Sequence, residues 1–298
     1  MLNYKLFKDN GYNLKSIKRL NNAFLIESNN NRFIVKKKDN NEDKVYNYLL
    51  TRNFNYLPKY HHFNNYNIYE YINNNELSKE EKLSELVNLL AILHIKTTRF
   101  QNTQIDDYKI IYEDLYKRIN YLLSYYNNLN DYIDNIIYMS PSEYLLIRNI
   151  SKIYSSLSFA SKELEEWYEL IKNSKKQRKV LIHNNLDLDH FIYDKNPYLI
   201  SWQKAKVDLP IYDLIDLYKK YYNDIDFSVL LNIYQKKYPL TKEELKLFFI
   251  IISIPDKIEL SNDELLDIKR IKKILKRISI SDNLISTYYQ KKKSYSSE

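Results

Sequence analysis

Among its 298 residues this chain has a single glycine, Gly11, and no cysteine. A Walker loop, a dinucleotide-binding GxGxxG turn and a nucleophile elbow each need several glycines, because the backbone there turns tightly and passes close to a phosphate or an oxyanion. The composition excludes all three. It also excludes disulfides, cysteine–zinc sites, iron–sulfur clusters and thiol nucleophiles, which sets the expectation of a cytoplasmic protein. With 44% hydrophobic and 28% charged residues, the chain can bury a sizeable core in one or two domains.

The formal net charge is +8, from 46 basic and 38 acidic residues. A nucleic-acid binder would gather its lysines into a stripe or patch. Here lysines are scattered among glutamates and aspartates, in a chain rich throughout in Lys, Asn, Ile and Tyr, so nucleic acid is not the expected partner. The 31 tyrosines give aromatic surface everywhere without marking a base-stacking site. The first ten residues carry charges without an apolar core, and no signal peptide is expected. Leu247–Ile254 is the longest apolar run, interrupted by Ser253. It falls far short of the roughly 20 residues that span a bilayer. It reads as a buried helix, and no membrane partner is expected.

Ala23–Glu27 and Arg32–Lys37 read as two strands joined by Asn29-Asn30-Asn31, a hairpin signature in which asparagine tolerates positive φ. Lys44–Leu50 is a short helical stretch, Leu57-Pro58 breaks the chain, and Tyr66–Ile72 is a further strand before Asn73-Asn74-Asn75. From there the period becomes helical. Ser78 and Glu81 form a capping box, followed by Leu83, Leu86, Val87, Leu90, Leu93 and His94 on one face. The same box recurs at Ser140/Glu143, Thr241/Glu244 and Ser261/Glu264. Val180–Ile182, Phe191–Tyr193 and Tyr198–Trp202 are short strand-like pieces around a polar loop, and the Lys- and Ser-rich 290–298 segment is expected to fray. The plan is two lobes, 1–73 rich in strands and 74–298 helical.

Residues 180–216 read VLIHNNLDLDHFIYDKNPYLISWQKAKVDLPIYDLID. This segment resembles the core of the aminoglycoside phosphotransferases and choline kinases, within the protein-kinase-like superfamily. There a His-Gly-Asp-Leu loop is followed by an Asn, a strand ending Ile-Asp-Trp, and Asp-Pro-x-x-Asp-Leu. His183, Leu186, Phe191, Ile192, Ile200, Trp202, Asp208, Pro210 and Asp213-Leu214 match. Phe33–Lys36 looks like the strand of the nucleotide-contacting lysine, Tyr69-Glu70-Tyr71-Ile72 like the hinge strand, and Leu90–His94 like the Leu-x-x-Leu-His helix. Tyr238-Pro239-Leu240-Thr241 with Pro255 is similar to the spore-coat-protein branch. The resemblance implies an α+β bilobal protein-kinase-like fold, with a small antiparallel-sheet lobe and a large helical lobe.

Three positions depart from that pattern. Asn185 stands where the resemblance puts the catalytic Asp, His190 replaces a metal-binding Asn, and Ser201 replaces a metal-binding Asp. An amide has no usable basicity, a serine brings no charge to a metal, and imidazole is a poor magnesium ligand. Those three residues are expected to converge at the floor of the cleft between the lobes. Lys36, Glu70, Tyr71 and Ile72 are the nucleotide-binding candidates. Strand alternation puts Ile34, Lys36 and Lys38 on one face, and Glu42 or Asp43 is the candidate partner of Lys36. His183 is implied to hold the loop backbone. His183 and His190 lack a third ligand, so no metal site is expected. His61 and His62 are expected on a surface turn, Trp202 in the core, and Asp213 as a buried structural carboxylate.

The leading expectation is therefore a pseudokinase, a binding or structural protein of the cytoplasm or the forming spore whose partner is a protein or small molecule. ATP is the cofactor implied, and magnesium is not expected. The alternative is an active ATP-dependent phosphotransferase on a small hydroxylated molecule, with Asp187 or Asp189 (or Asp194) shifted inward to serve as the acid.

Overall fold

A computed structural model describes residues 14–28, 31–102 and 105–295. Gly11 and Asn29-Asn30 lie outside the described residues. The chain forms two compact units. One takes the described residues up to Thr97 together with His183–Lys206, the other Thr98–Ile182 with the rest of the chain. This grouping cuts the chain elsewhere than the 1–73 and 74–298 lobes, because residues 74–97 and the polar-loop segment fold with the sheet.

The first unit is built on a five-stranded antiparallel sheet: β1 (Leu14–Arg19), β2 (Ala23–Ser28), β3 (Asn31–Lys37), β4 (Tyr60–Phe63) and β5 (Tyr66–Glu70), in the order β1-β2-β3-β5-β4. β3 is central, and its pleat sends alternate residues to opposite faces. Val35 packs with Ile26 and Ile68 in the core. Lys36, on the other face, is flanked by Ala23 and Asn67. The described positive-φ residues are Asn53, Asn64, Asn184 and Ser201. Asparagine tolerates that region better than other non-glycine residues, and three of these four positions use it.

Helix α1 (Asn40–Thr51) starts four residues before the expected Lys44, because Asp39 caps it by accepting from the N–H groups of Asn41 and Glu42 at 2.9 Å. Helix α2 (Lys79–Thr97) opens on the expected Ser78/Glu81 box and buries the expected face, His94 included. The 183–206 segment adds a 3-10 turn (Leu188–His190), the hairpin β8 (Phe191–Tyr193) and β9 (Pro197–Leu199), and a second 3-10 turn (Trp202–Lys204). Its hairpin is tied to the rest of the unit by Leu199 N–H to the Tyr56 carbonyl at 3.0 Å and Asn75 N–H to that of Tyr193 at 2.7 Å.

The second unit contains β6 (Arg99–Asn102), α3 (Ile105–Asp134), α4 (Pro141–Ile147), α5 (Ile150–Ile171), β7 (Lys176–Ile182), α6 (Ile211–Tyr221), α7 (Phe227–Lys237), α8 (Lys242–Ser253) and α9 (Glu264–Tyr295). β10 (Lys206–Asp208), where the chain passes between units, completes a sheet of order β10-β7-β6. The apolar run at 247–254 is the buried face of α8, with Phe248 stacked on Phe227 at 6.1 Å. Among the described residues no helix is long and apolar enough to cross a membrane.

Four expectations are corrected here. The Ser261/Glu264 box does not form: Asp263 caps α9 through Leu266 N–H, Ser261 bonds Asp267, and Glu264 accepts from the backbone and hydroxyl of Ser142. The 290–295 stretch is helical, as the last turns of α9. His61 and His62 are exposed but sit on β4, not in a turn. The third strand-like piece is shorter than Tyr198–Trp202, since β9 ends at Leu199 and Trp202 opens a 3-10 turn.

Candidate functional site

The first unit holds a cavity of about 850 Å³. Its walls include Ala23, Ile34, Lys36 and Lys38 from the sheet side, Tyr69 to Ile72 from β5 and the residues after it, and Asn185, Asp189, His190, Ser201 and Lys204 from the 183–206 segment. Eight of the sequence-nominated residues therefore come together: Lys36, Glu70, Tyr71, Ile72, Asn185, Asp189, His190 and Ser201. His183 and Asp187 are not among the described lining residues, nor is Asp194, whose carboxylate accepts from Asn75 at 3.3 Å.

On the β3 side, Lys36 Nζ lies 3.7 Å from Glu42 Oε1, both side chains well buried. Of the two acids left open by the sequence, Glu42 is the partner. Asp43 instead accepts from Asn67 at 2.8 Å and from the Tyr60 hydroxyl at 3.3 Å. Burial pushes the Glu42 carboxyl above the usual glutamate value. Lys36 opposes that push, as do bonds from the Trp202 N–H and the Tyr69 hydroxyl. Gln203 Nε2 donates to the other Glu42 oxygen at 2.7 Å. A buried carboxylate is tolerated only with partners of this kind. Tyr46 and Tyr69 pack edge-on beside it, 6.0 Å apart, and burial raises both hydroxyls.

The loop side is held by hydrogen bonds to backbone. His183, fully buried, donates Nε2–H to the Ile200 carbonyl at 2.9 Å and packs edge-on to Trp202 at 4.7 Å. Asn184 takes φ 56, a conformation normally given to glycine, and its side chain donates to the Lys204 carbonyl at 3.1 Å. His190 donates Nδ1–H to the Asn185 carbonyl at 2.7 Å. The Asn185 amide nitrogen lies 3.5 Å from the same Nδ1, where two donors face each other without bonding. Asp187 caps the 3-10 turn through Asp189 N–H at 3.3 Å. Ser201 sits at φ 70, ψ 54 without a side-chain capping bond.

Magnesium requires hard, preferably anionic oxygen ligands. At the three positions where the resemblance places catalytic and metal-binding groups, the chain offers an amide, an imidazole and a hydroxyl. That donor set does not fit the ion. Among the described residues no group of three or more His, Asp or Glu side chains is placed to hold a metal. Asp213, on α6, is fully buried.

Two contributors escaped the sequence reading. Gln203 bridges to Glu42, and Asn41 donates its amide to the carbonyls of Gln203 at 2.8 Å and Ala205 at 3.4 Å. These bonds join α1 to the second 3-10 turn across more than 160 residues of chain.

Residues 148–247, about a third of the chain, match the phosphotransferase enzyme family. The fold is similar to that of an aminoglycoside phosphotransferase from Alicyclobacillus acidocaldarius, with a TM-score of 0.68, 11% identity, and 94% of this chain and 92% of that one covered. It is also similar to the AMP-bound spectinomycin phosphotransferase APH(9)-Ia, with a TM-score of 0.52, 12% identity, and 91% of this chain and 94% of that one covered.

 Likeness at these identities is one of fold. The mixed α/β architecture, with an N-terminal antiparallel sheet and a larger helical C-terminal part, is that of the aminoglycoside phosphotransferases. No curated protein matches the sequence.

Proposed function

We propose that this protein is an aminoglycoside-phosphotransferase-like pseudokinase: it binds a nucleotide, and ordinary magnesium-dependent phosphoryl transfer has been lost. One observation carries the reading. The Lys36–Glu42 ion pair is intact at 3.7 Å, while Asn185, His190 and Ser201 bring no carboxylate to the same cavity. Kinases of this superfamily use such a lysine–glutamate pair to grip the nucleotide phosphates, and carboxylates to hold the metal and take the hydroxyl proton. Lys36 would meet the phosphates, and the chain from Glu70 to Ile72 would meet the base. Without base or metal carboxylates the protein acts through binding, in the cytoplasm or the forming spore, consistent with the spore-coat-like Tyr238–Thr241 segment. The lobes 1–73 and 74–298 would be its working halves.

The competing reading is an active phosphotransferase on a small hydroxylated acceptor. Asp189 favours it, being the candidate rescue acid that lines the cavity. Calorimetry with ATP and adenosine, paired with a magnesium-dependent phosphoryl-transfer assay, tests the two. Binding without turnover is expected. Robust turnover abolished by Asp189→Ala would replace the pseudokinase reading with the enzyme, and absence of any nucleotide binding would overturn both.

A further inference from the structure

The disagreement between the donor set and magnesium has a consequence for charge. A divalent ion beside one metal-binding and one catalytic carboxylate sums to zero. With neutral Asn185 and Ser201 and no ion, the sum is unchanged. What disappears is the positive charge nearest the ligand's phosphate oxygens, which matters most because Coulomb energy falls with distance.

Lysines line the same cavity. Lys36 is held by Glu42, but Lys38 and Lys204 make no ion pair among the described residues. Two of the acids on the wall are already engaged: Asp39 by the N–H groups of Asn41 and Glu42, and Glu70 by the Lys59 N–H at 3.0 Å. Lys204 stands three residues after Ser201, in a turn fixed from two directions by backbone bonds: Asn184 holds its own carbonyl, and Asn41 those of its neighbours. Lys204 is therefore an exposed cation on a fixed turn of the cavity wall, three residues from the position that lacks a metal carboxylate.

We propose that the cavity receives a phosphate chain of two or more groups through side-chain cations instead of a divalent metal, with Lys204 supplying the charge that the metal would have supplied. The proposal rests on the nucleotide reading for the ligand's identity, but not for its charge. Charge-assisted bonds from an ammonium to phosphate need no metal bridge.

Titration calorimetry in EDTA with tripolyphosphate, ATP and adenosine tests it. Lys204→Met should weaken tripolyphosphate and ATP about tenfold, and Lys204→Glu about a hundredfold, leaving adenosine unchanged. Excess magnesium should leave ATP affinity unchanged or lower it. Tightening of ATP by magnesium of tenfold or more, or tripolyphosphate affinity indifferent to both variants, would overturn the proposal. Lys204-dependent tripolyphosphate binding with no adenosine binding would sink the nucleotide reading and keep this one. Adenosine binding without tripolyphosphate binding would do the reverse.

Discussion

On the β3 side of the cavity, charge is balanced by charge: Lys36 and Glu42 are both buried and paired, and Gln203 satisfies the remaining carboxylate oxygen. On the loop side Asn185, His190 and Ser201 bring no carboxylate, and the segment is fixed through backbone: His183 to Ile200, His190 to Asn185, Asn184 to Lys204. The two regions share one cavity and one folding unit, yet only the first carries a lysine–glutamate ion pair among the described residues. The loop's shape is defined by hydrogen bonds to backbone carbonyls and does not depend on carboxylates at positions 185 and 201.

Removing the paired lysine should have the largest effect. Lys36→Met takes away the cation proposed to meet the phosphates and leaves Glu42 buried without its counter-charge. ATP affinity should fall about a hundredfold, and stability by about 3 kcal/mol. Adding Glu42→Gln should recover most of the stability and none of the affinity. Asn185→Ala, on the loop side, should change ATP affinity less than threefold. Equal losses of affinity in Lys36→Met and Asn185→Ala would break the comparison, and calorimetry with chemical denaturation reads both.

The sequence made some of this legible and left the rest dark for identifiable reasons. The central strand, the Lys36 face and the capping boxes at Ser78, Ser140 and Thr241 are local patterns, and the structure contains them. The choice between Glu42 and Asp43 is not local. Adjacent helical residues point about 100° apart, and which one meets Lys36 depends on Asn67 and Tyr60 claiming the other. Ser261/Glu264 carries a valid box signature and still fails, because Ser142, 122 residues away, takes Glu264. β1, β4, β6 and β10 escaped notice for a simpler reason: they are short and largely exposed, so apolar alternation is weak. In the loop, the family resemblance nominated Asn185, His190 and Ser201, and the three line one cavity.

A smaller effect should appear in the pH dependence of stability. Burial raises the Glu42 carboxyl, so the folded state holds its proton to higher pH than the unfolded chain does. The sign follows from linkage: stability from this group is fully present below the ordinary glutamate value and is lost as pH rises through the raised one. Within that window the slope should approach at most about 1.4 kcal/mol per pH unit. Glu42→Gln should flatten it, as read by urea denaturation across the acidic range. A Glu42→Gln profile parallel to the wild type would mean that Lys36 fully offsets the burial, which would sharpen the contrast with the loop side.

The smallest effect concerns Ser201. Its φ of 70 and ψ of 54 put a serine in the left-handed region, which costs a non-glycine residue about 1 kcal/mol. Its side chain makes no capping bond that would offset this. Ser201→Gly should therefore stabilise the protein by about 0.5–1 kcal/mol and raise Tm by about 1–3 °C, while β-branched Ser201→Val should destabilise it. Aspartate visits the left-handed region more readily than most residues, so Ser201→Asp should leave the backbone in place and change only the charge. That makes it a clean probe of the loop side. If Ser201→Asp with Asn185→Asp brings magnesium-dependent ATP binding, the loop differs from a metal site in those two charges alone. If Ser201→Gly is destabilising, the backbone at this position is shaped by something other than local strain, and the loop's geometry, not just its charge, has departed from a metal-binding one.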